Sequence, residues 1–387
     1  MFRKLKLILL GLPAALVVFF IRLLRPLLTI RLGPLRSERI GHFAINTELY
    51  LCERDAHMHE PRTLDIFYYT LPVCNQQLKK MWDRTLHVFQ FASLIDKLNR
   101  RLPGGKKHMI PEIAIHLDVH GLLMRTQPHL FFTPEEEQTG LKALRKLGIP
   151  EGAPFVCFFA RDSAYMNSIF PQRDSSYHDY RDSDINSFLL AVEEICERGY
   201  YAIRMGAIVN QVLKSDHPKV IDYAAKYRTD FLDIYLSAKC RFFISSNSGI
   251  EEVAKIFRRP IVNTNIIPFN SIEFSPPSCL VIFKKLWSRK KERFLTISEI
   301  STSEIKNFSR MQDFEQNNIE IINNSPEEIA SVATEMDDRL KGAWEVTKED
   351  EELQRKFQLI FEMGRVSKGS YPLVGSEFLR RNSELLK

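Results

Sequence analysis

The sequence lacks the short motifs that identify the commonest enzyme classes. A GxGxxG dinucleotide fingerprint, a Walker A loop, an HExxH helix and a GxSxG elbow are all absent from its 387 residues. The usual dehydrogenase, P-loop kinase, zincin and α/β-hydrolase templates are therefore not supported. Hydrophobic and charged residues make up 44% and 26% of the chain, which is typical of a folded protein. A chain of this length predicts two domains.

The chain also lacks a strong excess of charge of one sign. Its formal net charge is +6. The first 39 residues hold eight basic residues against one acidic residue, so the rest of the chain is nearly balanced. A nucleic-acid partner is not expected, because nucleic-acid binding concentrates basic residues on the globular body.

Paired cysteines are missing as well. The six cysteines are scattered and form no CxxC pair: Cys52, Cys74, Cys157, Cys196, Cys240 and Cys279. Several of them lie within apolar runs. This pattern predicts buried free thiols in a reducing compartment, and neither a zinc framework nor a disulfide framework.

No charge-free apolar run is long enough to span a bilayer. Residues 7–21 are apolar, but these fifteen residues fall short of the ~20 that a spanning helix needs, and Arg22 and Arg25 follow them. Basic residues flank both ends of the run, and no small-residue cleavage site follows. We expect residues 1–36 to form a membrane-associating helical segment on the inner leaflet. A signal anchor and a buried core helix are the alternatives.

Alternating strand and helix patterns predict an α/β fold with parallel sheets. Predicted strands lie at residues 40–45, 64–71, 155–160, 200–205, 241–244, 261–262 and 280–283. Predicted helices lie at residues 75–87, 134–147, 185–198, 231–237, 325–361 and 376–385. Glycine and proline interrupt residues 148–154 and suggest a domain boundary. We expect one domain at 37–150, a second at 151–340, and C-terminal helices at 341–387 that pack back on the first domain.

The most informative stretch is RFFISSNSGIEEVA, residues 241–254. A strand runs into small polar residues, and a helix begins immediately after them. The small polar residues are Ser245, Ser246, Asn247, Ser248 and Gly249. Free N–H groups and the helix dipole at such a point favour an anion, most often a phosphate. Simple helix capping is the alternative, and one residue suffices for that.

Polar residues also follow the two neighbouring predicted strands. Arg161, Asp162 and Asn167 follow the strand at 155–160, and Arg204 ends the strand at 200–205. Guanidinium groups pair bidentately with phosphate oxygens, so Arg161 and Arg204 are candidate ligands of a diphosphate. Pairing with a surface carboxylate is the alternative for each arginine.

The loop SYHDYRDSD, residues 176–184, is dense in hydrogen-bonding groups and rings. Tyr177, His178 and Tyr180 suit a base, a ribose or a sugar, although a solvated loop is the alternative. Glu251 is a candidate for accepting hydrogen bonds from ribose hydroxyls, or simply an acid favoured by the helix dipole.

Three residues of the first half are candidate general bases for an acceptor hydroxyl. They are Glu48, which follows the first predicted strand, and Asp118 and His120 further along the chain. His42 is interpreted as structural, because histidine often makes hydrogen bonds in protein cores.

Several segments together resemble a family of bacterial glycosyltransferases from surface-polysaccharide gene clusters and, more distantly, heptosyltransferases. They are RIGHFAINTELYL (39–51), YHDYRDSDI (177–185), GYYAIRMG (199–206), FFISSNSGI (242–250), RRPIVNTN (258–265) and NNSPEEI (323–329). The resemblance covers nearly all of the chain after its N-terminal segment. It implies the GT-B architecture, in which two Rossmann-like domains face a cleft and the second holds a nucleotide-sugar donor.

The resemblance also implies roles for the candidate residues. Residues 245–249 would contact the donor diphosphate with Arg161 and Arg204 beside it, and Glu48 would be the acceptor base. No metal or other cofactor is expected. The implied partners are a nucleotide sugar, a glycan or lipid-linked acceptor, and the membrane surface at the cytoplasmic face of the bacterial inner membrane. A nucleotide-sugar epimerase of similar fold and a non-catalytic membrane-bound scaffold are the alternatives.

Overall fold

The computed structural model describes residues 2–111, 118–169, 172, 176–269, 271, 278–362 and 373–387. The chain divides into two compact units. The first contains residues up to 117 together with 125–131, and the second contains 118–124 together with 132–387. The α/β class expected from the sequence is confirmed in both units.

The first unit is a small α/β layer built on two parallel strands. Strand β1 (Thr29–Leu35) pairs with β2 (Thr63–Tyr69) along its whole length. Isolated parallel bridges to Met109 and Val88 extend the layer at its two edges. Helices α1 to α4 span Phe2–Leu23, Ile40–Asp55, Gln76–Asp83 and Ala92–Asn99.

Helix α2 occupies the position where the sequence predicted the first strand, so the prediction for residues 40–45 is wrong. The helix is buried at every position from Phe43 to Cys52. Its buried residues therefore form a continuous run, and the short apolar run at its start does not distinguish a helix from a buried strand by periodicity alone. The first strand is instead β1, within the segment 1–36 that we expected to lie outside the domain. Glu48 consequently lies in the third turn of α2 and not at the end of a strand.

The second half of α1 packs on the strands and on α4 of the first unit. Ala14, Val18 and Ile21 recur at helical spacing and are buried against β1, β2 and α4. Arg22 Nη1 donates a hydrogen bond to the carbonyl oxygen of Pro103 at 2.8 Å. The expected helix is thus present, and one of its faces belongs to the core. In the part of the chain that the structure describes, no helix combines the length and the apolar character needed to cross a membrane.

The second unit is organised around a large sheet. Strands β3 to β8 span Phe155–Phe159, Tyr201–Arg204, Val220–Ile221, Phe243–Ser245, Ile261–Ile266 and Cys279–Phe283. Strands β9 to β12 span Lys285–Ser288, Arg293–Phe294, Ile319–Ile322 and Leu373–Val374. Seven strands form a parallel sheet in the order β12-β8-β7-β6-β3-β4-β5, and β10-β9-β11 form an antiparallel one. The expected parallel sheet is confirmed.

Helices cover this sheet and supply most of its connections. Helices α5 to α15 span Pro134–Lys146, Ala164–Ile169, Leu189–Glu197, Tyr223–Lys226, Asp230–Lys239, Glu251–Ile256, Ile297–Ser301, Met311–Gln316, Pro326–Lys341, Lys348–Glu362 and Ser376–Arg381. Thr133 and Ser325 begin α5 and α13 with capping boxes, each completed by a glutamate three residues later. The helix starts expected at residues 134 and 325 are confirmed to within one residue.

The expected domain boundary near residue 150 is wrong. Gly140 of α5 lies so close to α9 that a Cβ atom built on it would be 2.0 Å from Cζ of Tyr235. Only glycine allows so close an approach. Helix α5 therefore packs on α9 and belongs to the second unit. The expected docking of residues 341–387 on the first unit is also wrong. Strand β12 pairs with β8, and the N–H of Ser376 donates to Glu335 Oε2 at 2.7 Å.

Candidate functional site

The serine hydroxyls after β6 join the carboxyl ends of two neighbouring strands. Ser246 Oγ accepts a hydrogen bond from the N–H of Arg161 at 2.7 Å, just after β3. Ser245 Oγ lies 3.2 Å from Ser248 Oγ. Ser245 and Ser246 are buried. These two hydroxyls contribute to the local packing of the strand ends. The sequence did not predict this structural role.

Helix α10 begins next to this loop and has only six residues. The N–H of Ser248 donates to Glu251 Oε2 at 3.0 Å. One of the N–H groups expected to bind an anion is therefore already bonded to a carboxylate. Glu251 is itself buried and pairs with Lys255 at 3.2 Å. Asn247 has φ of +56°, and Gly249 is exposed. Ile250 is the N-cap of α10, and no side-chain hydrogen bond caps the helix, so the phosphate role of residues 245–249 and its capping alternative both stay predictions.

A cluster of three cations lies beyond the carboxyl ends of β3 and β8. Arg161 follows β3 and forms an ion pair with Asp182. Arg181 Nη2 donates to the carbonyl oxygen of Asn247 at 3.0 Å, and its Nε is buried without a hydrogen-bond partner in the described part of the chain. Lys284 directly follows β8, and its Nζ donates to the carbonyl oxygens of Tyr180 and Asp182, each at 2.8 Å. We call Arg161, Arg181 and Lys284 the cation cluster.

Burial is the largest cause of the pKa shifts in this cluster, and charge repulsion between its cations adds to the shifts of Lys284 and Arg181. Burial lowers the pKa of Lys284 to about 7, with Arg161 and Arg181 adding to the effect and Asp182 opposing it. Burial and repulsion from Arg161 lower the pKa of Arg181. Burial raises the pKa of Asp182 to about 6, although Arg161 acts in the opposite direction. A bound anion would stabilise all three cations.

Arg204, the other predicted diphosphate ligand, is occupied inside the second unit. Its Nη1 lies 3.2 Å from Asp222 Oδ2, and its Nη2 donates to the carbonyl oxygen of Gln211 at 2.7 Å. Its side chain is only 3% exposed. The guanidinium therefore has internal partners, and we do not include it in the candidate site.

The other residues that were predicted to bind the nucleotide-sugar donor lie in different environments of the second unit. Asp162 accepts from the N–H groups of Ala164 and Asn210, so its carboxylate closes a turn. Tyr180 is buried in the core, with its ring 5.6 Å from that of Phe314. Asn167 lies exposed on α6. The side chains of Tyr177 and His178 lie outside what the structure describes.

The three candidate bases also differ in placement. Glu48 is fully buried, and its Oε1 lies 3.1 Å from His129 Nδ1. Asp118 belongs to the second unit and accepts from the N–H groups of Leu122 and Leu123 at 2.7 and 2.9 Å. His120 is exposed in the same segment. Their catalytic roles stay predictions, and the burial of Glu48 does not favour direct contact with an acceptor.

His129 is the partner of Glu48 that sequence reasoning missed. Burial alone would lower its pKa, but interactions with Cys52, Glu48 and Asp55 outweigh burial and raise the pKa to about 10. The sequence carries no local signal for this pairing, because 81 positions separate Glu48 from His129 along the chain.

Two members of the cation cluster were also missed, although the sequence contained a signal for each. Arg181 lies within the loop 176–184, which was selected for its tyrosines and histidine. Lys284 directly follows an apolar strand, as Arg161 nearly does. The strand-end rule that selected Arg161 would have selected Lys284 too.

The sequence matches no protein-family model and no curated protein. Solved structures similar to the chain include Escherichia coli ADP-heptose lipopolysaccharide heptosyltransferase II, with 15% identity and a TM-score of 0.35 over 65% of this chain and 90% of that one. A family 9 glycosyl transferase from Veillonella parvula has 12% identity and a TM-score of 0.42 over 66% and 86% of the two chains.

Escherichia coli heptosyltransferase WaaC, solved with ADP, has 10% identity and a TM-score of 0.30 over 75% of this chain and 99% of that one. The distant similarity to heptosyltransferases expected from the sequence is thus confirmed. Because every one of these TM-scores is below 0.5, no residue role is transferred from these structures.

Proposed function

We propose that the chain is a glycosyltransferase of the GT-B type and that its second unit holds a nucleotide-sugar donor. The observation that carries this proposal is Arg181, which lies near Arg161, has a buried Nε without a hydrogen-bond partner and forms no ion pair in the described part of the chain. A buried charge without a compensating partner costs several kcal/mol. The diphosphate of a nucleotide sugar carries the negative charge that would compensate it.

The position and chemistry of the cation cluster fit this role. Parallel α/β sheets bind ligands beyond the carboxyl ends of their strands, where Arg161 and Lys284 lie. The two guanidinium groups match phosphate oxygens bidentately, and a bound anion would favour the charged form of the lysine.

The same cations suit the leaving group of a glycosyl transfer. When the bond between the anomeric carbon and the diphosphate oxygen breaks, negative charge develops on that oxygen. Cations positioned beforehand lower the energy of this transition state. With this charge supplied by protein side chains, the proposal includes no resident metal at the diphosphate.

We place the reaction in surface-polysaccharide synthesis at the cytoplasmic face of the bacterial inner membrane, with a glycan or lipid-linked acceptor. Support comes from the face of α1 that points away from the first unit. Leu16, Phe19, Phe20 and Leu23 are exposed there, and Arg25 follows. Apolar side chains with neighbouring cations favour adsorption to an anionic lipid surface.

Donor binding is tested by calorimetry and thermal shift with UDP, GDP, ADP, CMP and their sugars. We expect one nucleotide to stabilise the wild-type chain, and Arg181→Gln to weaken its binding about tenfold or more, since a charge-assisted hydrogen bond is lost. Arg289→Gln is the control, because Arg289 is 68% exposed. Equal binding by wild type and Arg181→Gln would contradict the diphosphate assignment.

Transfer is tested separately, with radiolabelled nucleotide sugars and bacterial membrane extract. We expect label to move into a glycan or lipid fraction. Conversion of the nucleotide sugar without transfer would indicate an epimerase, and binding without turnover would indicate a scaffold.

The membrane surface is tested by flotation with vesicles that contain anionic lipid. We expect the wild type to float with the vesicles and the double variant Phe19→Ser/Phe20→Ser to remain in solution. Both side chains are exposed, so the folded unit should tolerate the change. Equal flotation of both proteins would show that this face of α1 does not contact lipid.

A further inference from the structure

A second cluster of chemically active side chains lies in the first unit, apart from the cation cluster. Glu48 and Cys52 are one helical turn apart on α2, so both face the same side. His129 reaches them from residues 125–131, the segment that returns to the first unit after residues 118–124. A carboxylate, a thiol and an imidazole are the three side chains that zinc most often binds in proteins.

The separations between the three ligand atoms are close to those of a metal centre. His129 Nδ1 lies 3.1 Å from Glu48 Oε1, and Cys52 Sγ lies 4.0 Å from the same oxygen. All three ligand atoms lie within 4.8 Å of one another. Tetrahedral zinc with ordinary bond lengths separates its ligand atoms by about 3.3 to 3.8 Å. Shifts of less than about 1 Å would therefore complete the coordination.

The second nitrogen of the imidazole is held as it would be in a metal site. His129 Nε2 lies 2.9 Å from Asp55 Oδ2, one further turn along α2. Metal-bound histidines commonly donate their other N–H to a carboxylate, which fixes the tautomer and the ring orientation. In addition, the hydroxyl of Thr126 donates to Cys52 Sγ at 3.0 Å, an interaction that stabilises a thiolate.

The nitrogen that faces Glu48 is at ion-pair distance but lacks a hydrogen bond. His129 Nδ1 is buried and, in the described part of the chain, no acceptor meets hydrogen-bond geometry with it, although Glu48 is at ion-pair distance. Buried polar atoms nearly always have a hydrogen-bond partner, and the binding of an ion is one of the standard reasons for an exception. The side chains of Glu48 and Cys52 are themselves fully enclosed.

We propose that Glu48, Cys52 and His129 bind one divalent transition-metal ion of the zinc type, with water in the fourth position. On binding, Cys52 Sγ, His129 Nδ1 and a Glu48 oxygen each form a bond to the metal. The protons on the sulfur and on Nδ1 leave to solvent. The ion ties residues 125–131 to α2, so its role is to stabilise the first unit and is independent of donor binding.

The test uses the full chain, stripped with a chelator and titrated with Co²⁺. We expect one equivalent to bind and to give the near-ultraviolet absorption of a thiolate-to-cobalt charge transfer, which Zn²⁺ then removes. Cys52→Ser should abolish this absorption. Cys74→Ser, a change to another cysteine of the same unit outside the cluster, should retain it. No stoichiometric binding by the wild type, or an absorption that survives in Cys52→Ser, would overturn the proposal.

A second measurement keeps the proposal testable if Cys52→Ser fails to fold. A metal that binds only the native chain raises its unfolding midpoint. We expect the stripped wild type to unfold at a higher temperature with Zn²⁺ than with the same concentration of Mg²⁺, which prefers oxygen ligands. Equal midpoints with both ions would contradict a thiolate-containing site.

Discussion

The buried Lys284 predicts an unusual dependence of stability on pH. This lysine is 5% exposed, and its Nζ has two carbonyl acceptors. Burial lowers its pKa to about 7 in the folded chain from 10.5 in the unfolded chain. Between these values the unfolded chain binds a proton that the folded chain does not. The free energy of unfolding should therefore rise with pH over this window.

The slope follows from the linkage relation. One proton corresponds to about 1.4 kcal/mol of unfolding free energy for each pH unit between the two pKa values. Lys284→Met removes the titrating group and thus removes this contribution. The stability of the wild type relative to Lys284→Met should increase by about 2 kcal/mol between pH 8 and pH 9.5. This pH-dependent part of the unfolding free energy is fully present above pH 10.5 and is lost as the pH falls toward 7.

Urea unfolding at half-unit intervals of pH measures this difference directly. Because both proteins share every other titrating group, those contributions cancel in the comparison. Lys142→Met, a change on the exposed face of α5, is the control and should stay within about 0.5 kcal/mol of the wild type. A stability difference between wild type and Lys284→Met that does not change with pH would refute the reasoning.

Three further predictions concern packing and pairing in the second unit. Gly140→Ala should destabilise the chain by about 1–2 kcal/mol in thermal unfolding, because the clash with Tyr235 exceeds the gain in helix propensity; a stabilised variant would contradict this. Arg204→Ala should cost about 3 kcal/mol in urea unfolding, since Asp222 loses its partner, while nucleotide affinity stays unchanged. Weakened affinity in calorimetry would restore Arg204 to the site. Ser325→Ala should cost about 1 kcal/mol through loss of the α13 cap, and an unchanged urea midpoint would argue against that cap.

Much of the second unit could be predicted because its elements have strong local signals. Strand β3 is a short apolar run, and helix α5 begins with proline after a threonine cap. The first unit was harder to predict. Helix α2 is buried on nearly all sides. It therefore has no exposed polar face, and that face is the feature that distinguishes a helix from a strand in a sequence.

The site was predictable in position but not in detail. The rule that ligands lie beyond strand ends selected the edge of the sheet at which the cation cluster lies, and with it Arg161. It did not indicate that Asp222 would pair with Arg204, because that contact depends on the path of the chain between β4 and α8. For the same reason the contact of Glu48 with His129, which joins distant parts of the chain, had no signature in either local sequence.

The two residues of β12 protect the edge of the large sheet. They pair with Leu280 and Val281 of β8, and the N–H of Gly375 donates to the Val281 carbonyl oxygen at 3.1 Å. Without them β8, which is buried along its whole length, would present unpaired N–H and C=O groups and an apolar surface to other molecules. A chain shortened before residue 373 should consequently self-associate and express poorly, even though every residue of the cation cluster would still be present.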